Sequence, residues 1–364
     1  MTGQPHSTSL RPDALPGGER VPVAVLGATG SVGQRFISLL HDHPWFELVG
    51  VAASERSAGR TYAEAARWMQ TEPCPESVRE MVVSRSAETL GVPLVFSALD
   101  GDVAGELEVA HARAGALVVS NARSHRMAPD VPLLVPEVNP DHLALLDQQD
   151  HGRGGIVTNP NCSTIGLALA LAPLSRTFGV ERVSVVTMQA LSGAGLPGVS
   201  SLDALDNLIP FIRGEEEKLE TEPAKIFGAL GDGGVVPAGL SVSAQCNRVA
   251  VLDGHTECVS VTLGQDVEEA DIVRAWEEFR GAPQELGLPS APAQPTLYLA
   301  DEAAPQPRLH RDLEGGMACA IGRLRPCPLL GWKFVCLSHN TLRGAAGGAL
   351  LCAELAVAQG RLPR

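Results

Sequence analysis

Residues 21–26, Val-Pro-Val-Ala-Val-Leu, form a short apolar run bounded by turn formers. That is the pattern of a strand buried on both faces of a parallel sheet. Comparable runs recur at 48–53, 94–97 and 116–120, with an amphipathic stretch at 34–40 and a helix predicted over about 103–114. Strands alternating with helices predict a doubly wound parallel sheet. The texture changes after residue 162. An apolar helical run covers 167–174, and 180–189, 241–251 and 256–263 read as longer strands with fewer helices between them. This predicts an α+β domain on an open mixed or antiparallel sheet. Residues 340–359 read as a helix dense in Ala and Gly, with glycines at 344, 347 and 348. Glycine weakens a helix by about 1 kcal/mol relative to Ala, so its repetition predicts close packing against another element, the first domain.

The chain has 364 residues, more than one typical domain, and its 45% hydrophobic content is ample for two cores. A net charge of −14 disfavours binding to nucleic acid or an anionic membrane through bulk electrostatics. It leaves room for an anionic substrate held by a local cluster of Arg and Lys. No apolar run reaches the roughly 18 residues needed to cross a bilayer. Residues 1–20, rich in Pro, Gly and Ser and without an apolar h-region, read as a disordered tail and not a signal peptide. Eight cysteines without a Cys-x-x-Cys pair disfavour both a zinc site and a disulfide framework. No metal is expected, and a reducing cytoplasm is the expected compartment.

Three local motifs carry chemistry. Gly27, Gly30 and Gly33 stand between the first strand and the first helix. In that setting the first allows a tight turn, the second the approach of a pyrophosphate, and the third helix packing, with the helix N-terminus facing the phosphates. The second strand ends in Ser54-Glu55-Arg56-Ser57. Arg56 between two hydroxyls suits the 2′-phosphate of NADP, whereas Glu55 suits the ribose 2′-OH of NAD; the segment as a whole favours NADP. Finally, Asn159-Pro160-Asn161-Cys162-Ser163-Thr164 places a lone cysteine at a helix start. Unpaired amides and the helix dipole there are expected to lower the thiol pKa and later to hold an oxyanion. Cysteine is more often a small buried apolar residue, so the motif gains weight from its company. Downstream, Asn247-Arg248 precedes Asp253-Gly254-His255-Thr256, where a base would stand at a strand start. The run Glu215-Glu216-Glu217-Lys218 reads, taken alone, as a solvated helix face.

With these segments in order, the chain resembles the aspartate-β-semialdehyde dehydrogenases, particularly the branch typical of archaea and fungi. The resemblance runs from Val21 to about Leu355. Besides the motifs above it rests on Ser120-Asn121-Ala122-Arg123-Ser124-His125-Arg126-Met127, Val135-Pro136-Glu137-Val138-Asn139-Pro140, Gln189-Ala190-Leu191-Ser192-Gly193-Ala194-Gly195 and Ser338-His339-Asn340-Thr341. It implies an α/β fold with an NADP-binding Rossmann-type domain at 21–158, completed by the C-terminal helix at 340–364, and a catalytic and dimerisation domain at 159–339. It implies Cys162 as nucleophile, His255 as its acid–base partner and Gln189 as the residue orienting the acyl intermediate. Arg248 would grip the substrate α-carboxylate, Glu215 its ammonium, and Arg126 and Lys218 the phosphate, with Asn161 beside them. Cofactor contacts are implied for Gly27, Thr29, Gly30, Ser31, Val32, Ser54, Arg56, Ser57 and Ser97, with Asn340 near the nicotinamide. Asp100-Gly101 stands where a Pro-Ser pair is expected, and Ala250 where Pro is usual.

The implied activity is NADPH-dependent reduction of aspartyl phosphate to aspartate semialdehyde, with release of phosphate, in the branch that makes Lys, Thr, Met and Ile. A homodimer or homotetramer is implied. A related reductase of another activated acid, such as malonyl-CoA, and an NADP sensor without turnover are the rivals. Retention of both Arg248 and Glu215 favours a substrate carrying α-carboxylate and α-ammonium.

Overall fold

A computed structural model of the protein describes Leu15 and residues 18–363. The tail expected at 1–20 therefore lies largely outside the described residues; Leu15 itself packs, half-buried, on the first core.

The N-terminal sheet consists of β1 (Val21–Leu26), β2 (Phe46–Ala53), β3 (Ser84–Arg85), β4 (Leu94–Ser97), β5 (Leu117–Ser120) and β6 (Gly155–Thr158). All are parallel, in the order β3-β2-β1-β4-β5-β6. Helices α1 (Ser31–Leu40) and α2 (Gly101–Arg113) follow β1 and β4. The order reverses between β1 and β4, and a crevice opens there at the carboxyl ends of the strands. Helix α1 holds because Phe36, Ile37 and Leu40 share one face and bury it on the sheet.

The second layer begins with α3 (Cys162–Phe178), apolar on all sides and buried from Ser163 to Leu174. It lies on a seven-stranded mixed sheet built from β7 (Val180–Gln189), β8 (Leu208–Ile209), β11 (Ser241–Val249), β12 (His255–Leu263), β13 (Thr296–Leu299), β14 (Cys319–Cys327) and β15 (Gly331–Ser338). A small hairpin, β9 (Ala229–Gly231) with β10 (Gly234–Val236), stands apart from it. The order is β13-β14-β15-β12-β7-β11-β8, with β7 parallel to β11 and antiparallel to β12. Alternation along β7 is strict: Val183, Val185, Thr187 and Gln189 face inward, while Arg182, Ser184 and Val186 face out. One face of the sheet is thus covered by α3, and the other is open. Helices α4 (Glu215–Ile226) and α5 (Glu269–Glu278) flank α3.

Two expectations change in detail. Strand β11 stops at Val249, where the chain turns, and β12 begins one residue early, at His255, directly after Gly254 at φ +101°. The C-terminal helix is not continuous. Residues 342–346 form a π turn, and only then does α6 (Gly347–Ala358) run through the N-terminal core. The glycines there serve the seam between the two layers, not only the first domain. A Cβ on Gly344 would lie 2.8 Å from the Cβ of Cys162, and one on Gly348 3.0 Å from Asn159 Oδ1. No helix among the described residues is long and apolar enough to cross a membrane.

Candidate active site

Three strand ends and one helix start converge. Gln189 closes β7 and pairs in register with Arg248 near the end of β11. Because β12 runs the other way, its first residue, His255, arrives beside them. Cys162 opens α3, capped by Asn161, whose side chain accepts hydrogen bonds from the amides of Ser163 (3.0 Å) and Thr164 (3.3 Å). Cys162 Sγ lies 3.2 Å from His255 Nε2. Gly193 makes room for this pair: a Cβ there would come within 3.2 Å of the His255 ring and 3.0 Å of Arg248 Nη1.

The hydrogen bonds settle the tautomer. The amide of Ala190 donates to His255 Nδ1 at 3.1 Å, so Nδ1 carries a lone pair and the neutral ring bears its proton on Nε2, facing the sulfur. Burial first, then Arg248 and His339, push His255 down to about 3. The thiol departs from the sequence expectation. Burial, with Glu215 second, pushes Cys162 up to about 12, outweighing the cations Lys218, Arg126 and Arg248. A helix start lowers a thiol pKa only where water or a cation can also stabilise the anion, and here desolvation wins. In the ligand-free protein the pair is therefore a neutral thiol and a neutral imidazole.

Around the sulfur the polar side chains form one network. Glu215 Oε2 accepts from Asn161 Nδ2 (2.9 Å) and Gln189 Nε2 (3.3 Å), and Oε1 pairs with Lys218. Burial acts to raise the Glu215 pKa, yet Lys218, Asn161 and Gln189 together hold it below the usual carboxylate range. It stays ionised, which suits a substrate ammonium. Arg126 pairs with Glu222 at 2.9 Å, and the other oxygen of Glu222 accepts the Asn161 amide at 2.8 Å. Arg248 Nη1 donates to the Ala190 carbonyl at 2.6 Å, which fixes its fork in the cleft. Asn340 is a strut: Oδ1 accepts from the Gly254 amide (2.8 Å) and Nδ2 donates to Ser192 Oγ (2.8 Å). A cavity of about 640 Å³ is lined by Arg126, Asn161, Cys162, Gln189, Glu215, Lys218, Arg248 and Asn340. His255 lies behind it, fully buried, and reaches the cavity only through the sulfur.

A second groove of about 560 Å³ lies over the β1–α1 turn and is lined by Gly27, Thr29, Gly30, Ser31, Val32 and Ser54. Arg56, Ser57 and Ser97 do not line it: Arg56 points to solvent, and Ser57 and Ser97 are buried. Arg85, the second residue of the two-residue strand β3, and Ser86 directly after it do line it. The loop fits a dinucleotide. Gly27 sits at φ +69°, where a Cβ would lie 2.4 Å from the Ala98 carbonyl oxygen, and a Cβ on Gly33 would lie 2.3 Å from the Gly27 carbonyl oxygen. Helix α1 carries no side-chain cap, so its first amides are open to phosphate. Ser86 Oγ is buried without a partner in the structure. Groove and cavity share Ser31, Val32, Leu99, Asp100, Asn121 and Gly195, so they form one continuous channel.

A dinucleotide groove opening onto a half-buried cysteine paired with a buried histidine is the arrangement of an aldehyde-forming oxidoreductase. The sequence model described as "Semialdehyde dehydrogenase, NAD binding domain" matches residues 22–146, and "Semialdehyde dehydrogenase, dimerisation domain" matches 171–343. The chain is 52% identical over 342 residues to the aspartate-semialdehyde dehydrogenase of Methanothermobacter thermautotrophicus, covering 92% of this chain and 98% of that one. It is 46% identical to that of Saccharomyces cerevisiae over 356 residues, covering 92% and 97%. The crystal structure of the Candida albicans aspartate semialdehyde dehydrogenase with NADP superposes with a TM-score of 0.87 at 43% identity, covering 94% of this chain and all of that one. The chain belongs to the aspartate-semialdehyde dehydrogenase family.

Sequence reasoning missed Glu222, Lys225, Asn121, Ser192 and Arg85. Glu222 and Lys225 had a signal. With Glu215 and Lys218 they recur at three- and four-residue spacing, on the face of α4 that also buries Leu219 and Ile226. Arg85 had none, since a two-residue strand carries no pattern.

Proposed function

We propose that this protein reduces L-aspartyl-4-phosphate to L-aspartate-4-semialdehyde with NADPH, through a thioester on Cys162. The observation that carries this reading is the Cys162–His255 contact at 3.2 Å, in a cavity that also presents Glu215 and Arg248 and opens into the dinucleotide groove. The sulfur attacks the acyl carbon as its S–H bond breaks, and phosphate leaves toward Arg126 and Lys218, carrying that proton away as hydrogen phosphate. Arg248 holds the α-carboxylate by a bidentate fork, and Glu215 holds the ammonium. NADPH, when bound, supplies hydride to the thioester carbon. The Nε2–H of His255 then faces the sulfur that must leave as thiolate, and stabilises it by donating a hydrogen bond. Splitting one difficult reduction into two steps is the gain of covalent catalysis.

The test is a direct comparison. Aspartate semialdehyde, phosphate and NADP are expected to give NADPH, and malonyl-CoA with NADPH is expected to give no oxidation. Equal kcat/KM for malonyl-CoA would overturn the assignment of Arg248 and Glu215 to an amino-acid substrate.

Within the cofactor groove we assign the 2′-phosphate to Arg85, with Ser54 and Ser86, in place of Arg56. The register Ala53↔Arg85 sets Arg85 beside the end of β2, where its guanidinium lies 3.9 Å from Glu55 and offsets the one acid that would favour NAD. A charge-assisted contact of this kind is worth about 1.5–3 kcal/mol, roughly one to two decades in affinity. Arg85→Ala is expected to weaken NADP binding by that factor and spare NAD, while Arg56→Ala changes neither; calorimetric titration of both cofactors checks this.

The reading also carries a division of the chain into a cofactor domain at 21–158, closed by the segment from 340 onward, and a catalytic domain at 159–339. The open face of the mixed sheet, with Val186 at its centre, fits a two-fold contact with a second copy, and the protein would work in the cytoplasm as a homodimer or homotetramer. Sedimentation as a single 38.1 kDa chain at full activity would exclude the assembly.

A further inference from the structure

Helix α4 carries Glu215, Lys218, Glu222 and Lys225 on one inward face, alternating in sign. The first two line the cavity, and the last two do not. Lys225 is 6% exposed, and its ammonium donates to three backbone carbonyls: Arg126 O at 2.7 Å, Ala128 O at 2.6 Å and Val131 O at 2.7 Å. An ammonium has three donors, and all three are used here. The segment they gather, residues 126–131, belongs to no helix or strand; beside Lys225 it is held by short turns such as Ala128 N–H to His125 O at 3.1 Å and, at Asp130 O, by Gln149 Nε2 at 3.0 Å. One of the clamped carbonyls belongs to Arg126 itself. One turn back on the same helix, Glu222 takes the Arg126 guanidinium and the amide that precedes Cys162. A single helix therefore ties the backbone of Arg126, its side chain and the start of α3 into one rigid spacing.

We propose that Lys225 is a positioning residue for the phosphate half of the reaction: by clamping the carbonyls of 126–131 it sets where Arg126 meets the leaving or attacking phosphate, without touching substrate itself. The inference rests on the reading of Arg126 as a phosphate-binding cation. Burial pushes Lys225 down to about 8, with Asp130 and Glu222 acting in the opposite direction, so at neutral pH it keeps the proton the clamp requires. A displacement of about 1 Å in a binding group is enough to cost rate or affinity by one to two decades. The loss should fall on the phosphate alone, because Cys162, His255 and Arg248 are held by other elements.

The experiment compares Lys225→Met, Lys225→Gln and Arg126→Ala in the oxidative direction, with phosphate and aspartate semialdehyde varied separately. Lys225→Met is expected to raise the KM for phosphate about ten-fold, with the KM for semialdehyde and kcat at saturating phosphate within about two-fold of wild type. Lys225→Gln, whose amide can still satisfy two carbonyls, is expected to give a smaller rise, and it carries the test should the Met variant not fold. A phosphate KM that rises in Arg126→Ala but not in the folded Lys225 variants would overturn the clamp alone. Equal rises for phosphate and semialdehyde in the Lys225 variants would do the same, because they would mark a general loosening. An unchanged phosphate KM in Arg126→Ala would overturn the reading beneath the inference, and the inference with it.

Discussion

Cys162→Ser is expected to lower turnover at least about a thousand-fold while the thermal melting curve stays in place. Serine fits the first position of α3 and still accepts the Nε2–H of His255, so the fold has no reason to change. The chemistry does. A hydroxyl is a far weaker nucleophile, and an oxygen ester accepts hydride less readily than a thioester. A variant that kept a tenth of the activity would exclude the thioester. The thiol's state adds a pH dependence with a definite sign. With Cys162 pushed up to about 12, the thiolate fraction grows with pH throughout the working range. Alkylation of Cys162 in ligand-free protein, followed by peptide mapping, is expected to rise about ten-fold per unit between roughly pH 7 and 9. A plateau already reached at pH 7 would mean that the helix start, and not burial, governs this sulfur.

Replacing His255 by Gln is expected to cost about a hundred- to a thousand-fold in kcat. The amide can still accept from Ala190, but its flexible chain does not hold an N–H against the sulfur as the fixed ring does, so the departing thiolate loses its hydrogen bond. Since His255 is pushed down to about 3, it is neutral throughout the range in which the protein works. The kcat/KM profile is therefore expected to lack an acid limb near the ordinary imidazole value of about 6.5. Activity of His255→Gln above a tenth of wild type would show that the departing thiolate does not depend on the ring's hydrogen bond.

Much of this site was legible because its signals are local. The Gly27–Gly33 spacing lies between an apolar strand and an amphipathic helix, and Asn161-Cys162 stands at a helix start, so a dozen residues contain each argument. Strands β14 and β15 were not legible. Their apolar runs are broken by Arg323, Arg325, Pro326 and Lys333, and a register shift lies between Gly322 and Arg325. The acidic run at 215–217 read as a solvated face, because composition cannot tell which side of a helix is turned inward. Lys218 reaches the Glu215 carboxylate from one turn along the same helix, but Asn161 meets it only because α4 packs against α3.

By itself the amino-acid order determined the two layers, the cofactor loop, the capped cysteine and, through the family's motifs in sequence, the chemistry. Periodicity, turn residues and capping act over one or two turns of chain, and they survive as pattern. Tertiary structure alone decided what depends on distances between remote segments. Parallel pairing of β7 with β11 and antiparallel pairing with β12 brought Gln189, Arg248 and His255 to one edge. Packing around the half-buried thiol shields it enough to reverse its expected acidity. A two-residue strand carried Arg85 into the groove that Arg56 was expected to fill. Solvation and charge pairing are set by what surrounds a group in three dimensions, and in this site hydrogen-bonded partners such as Ser192 and Asn340 lie 148 residues apart along the chain.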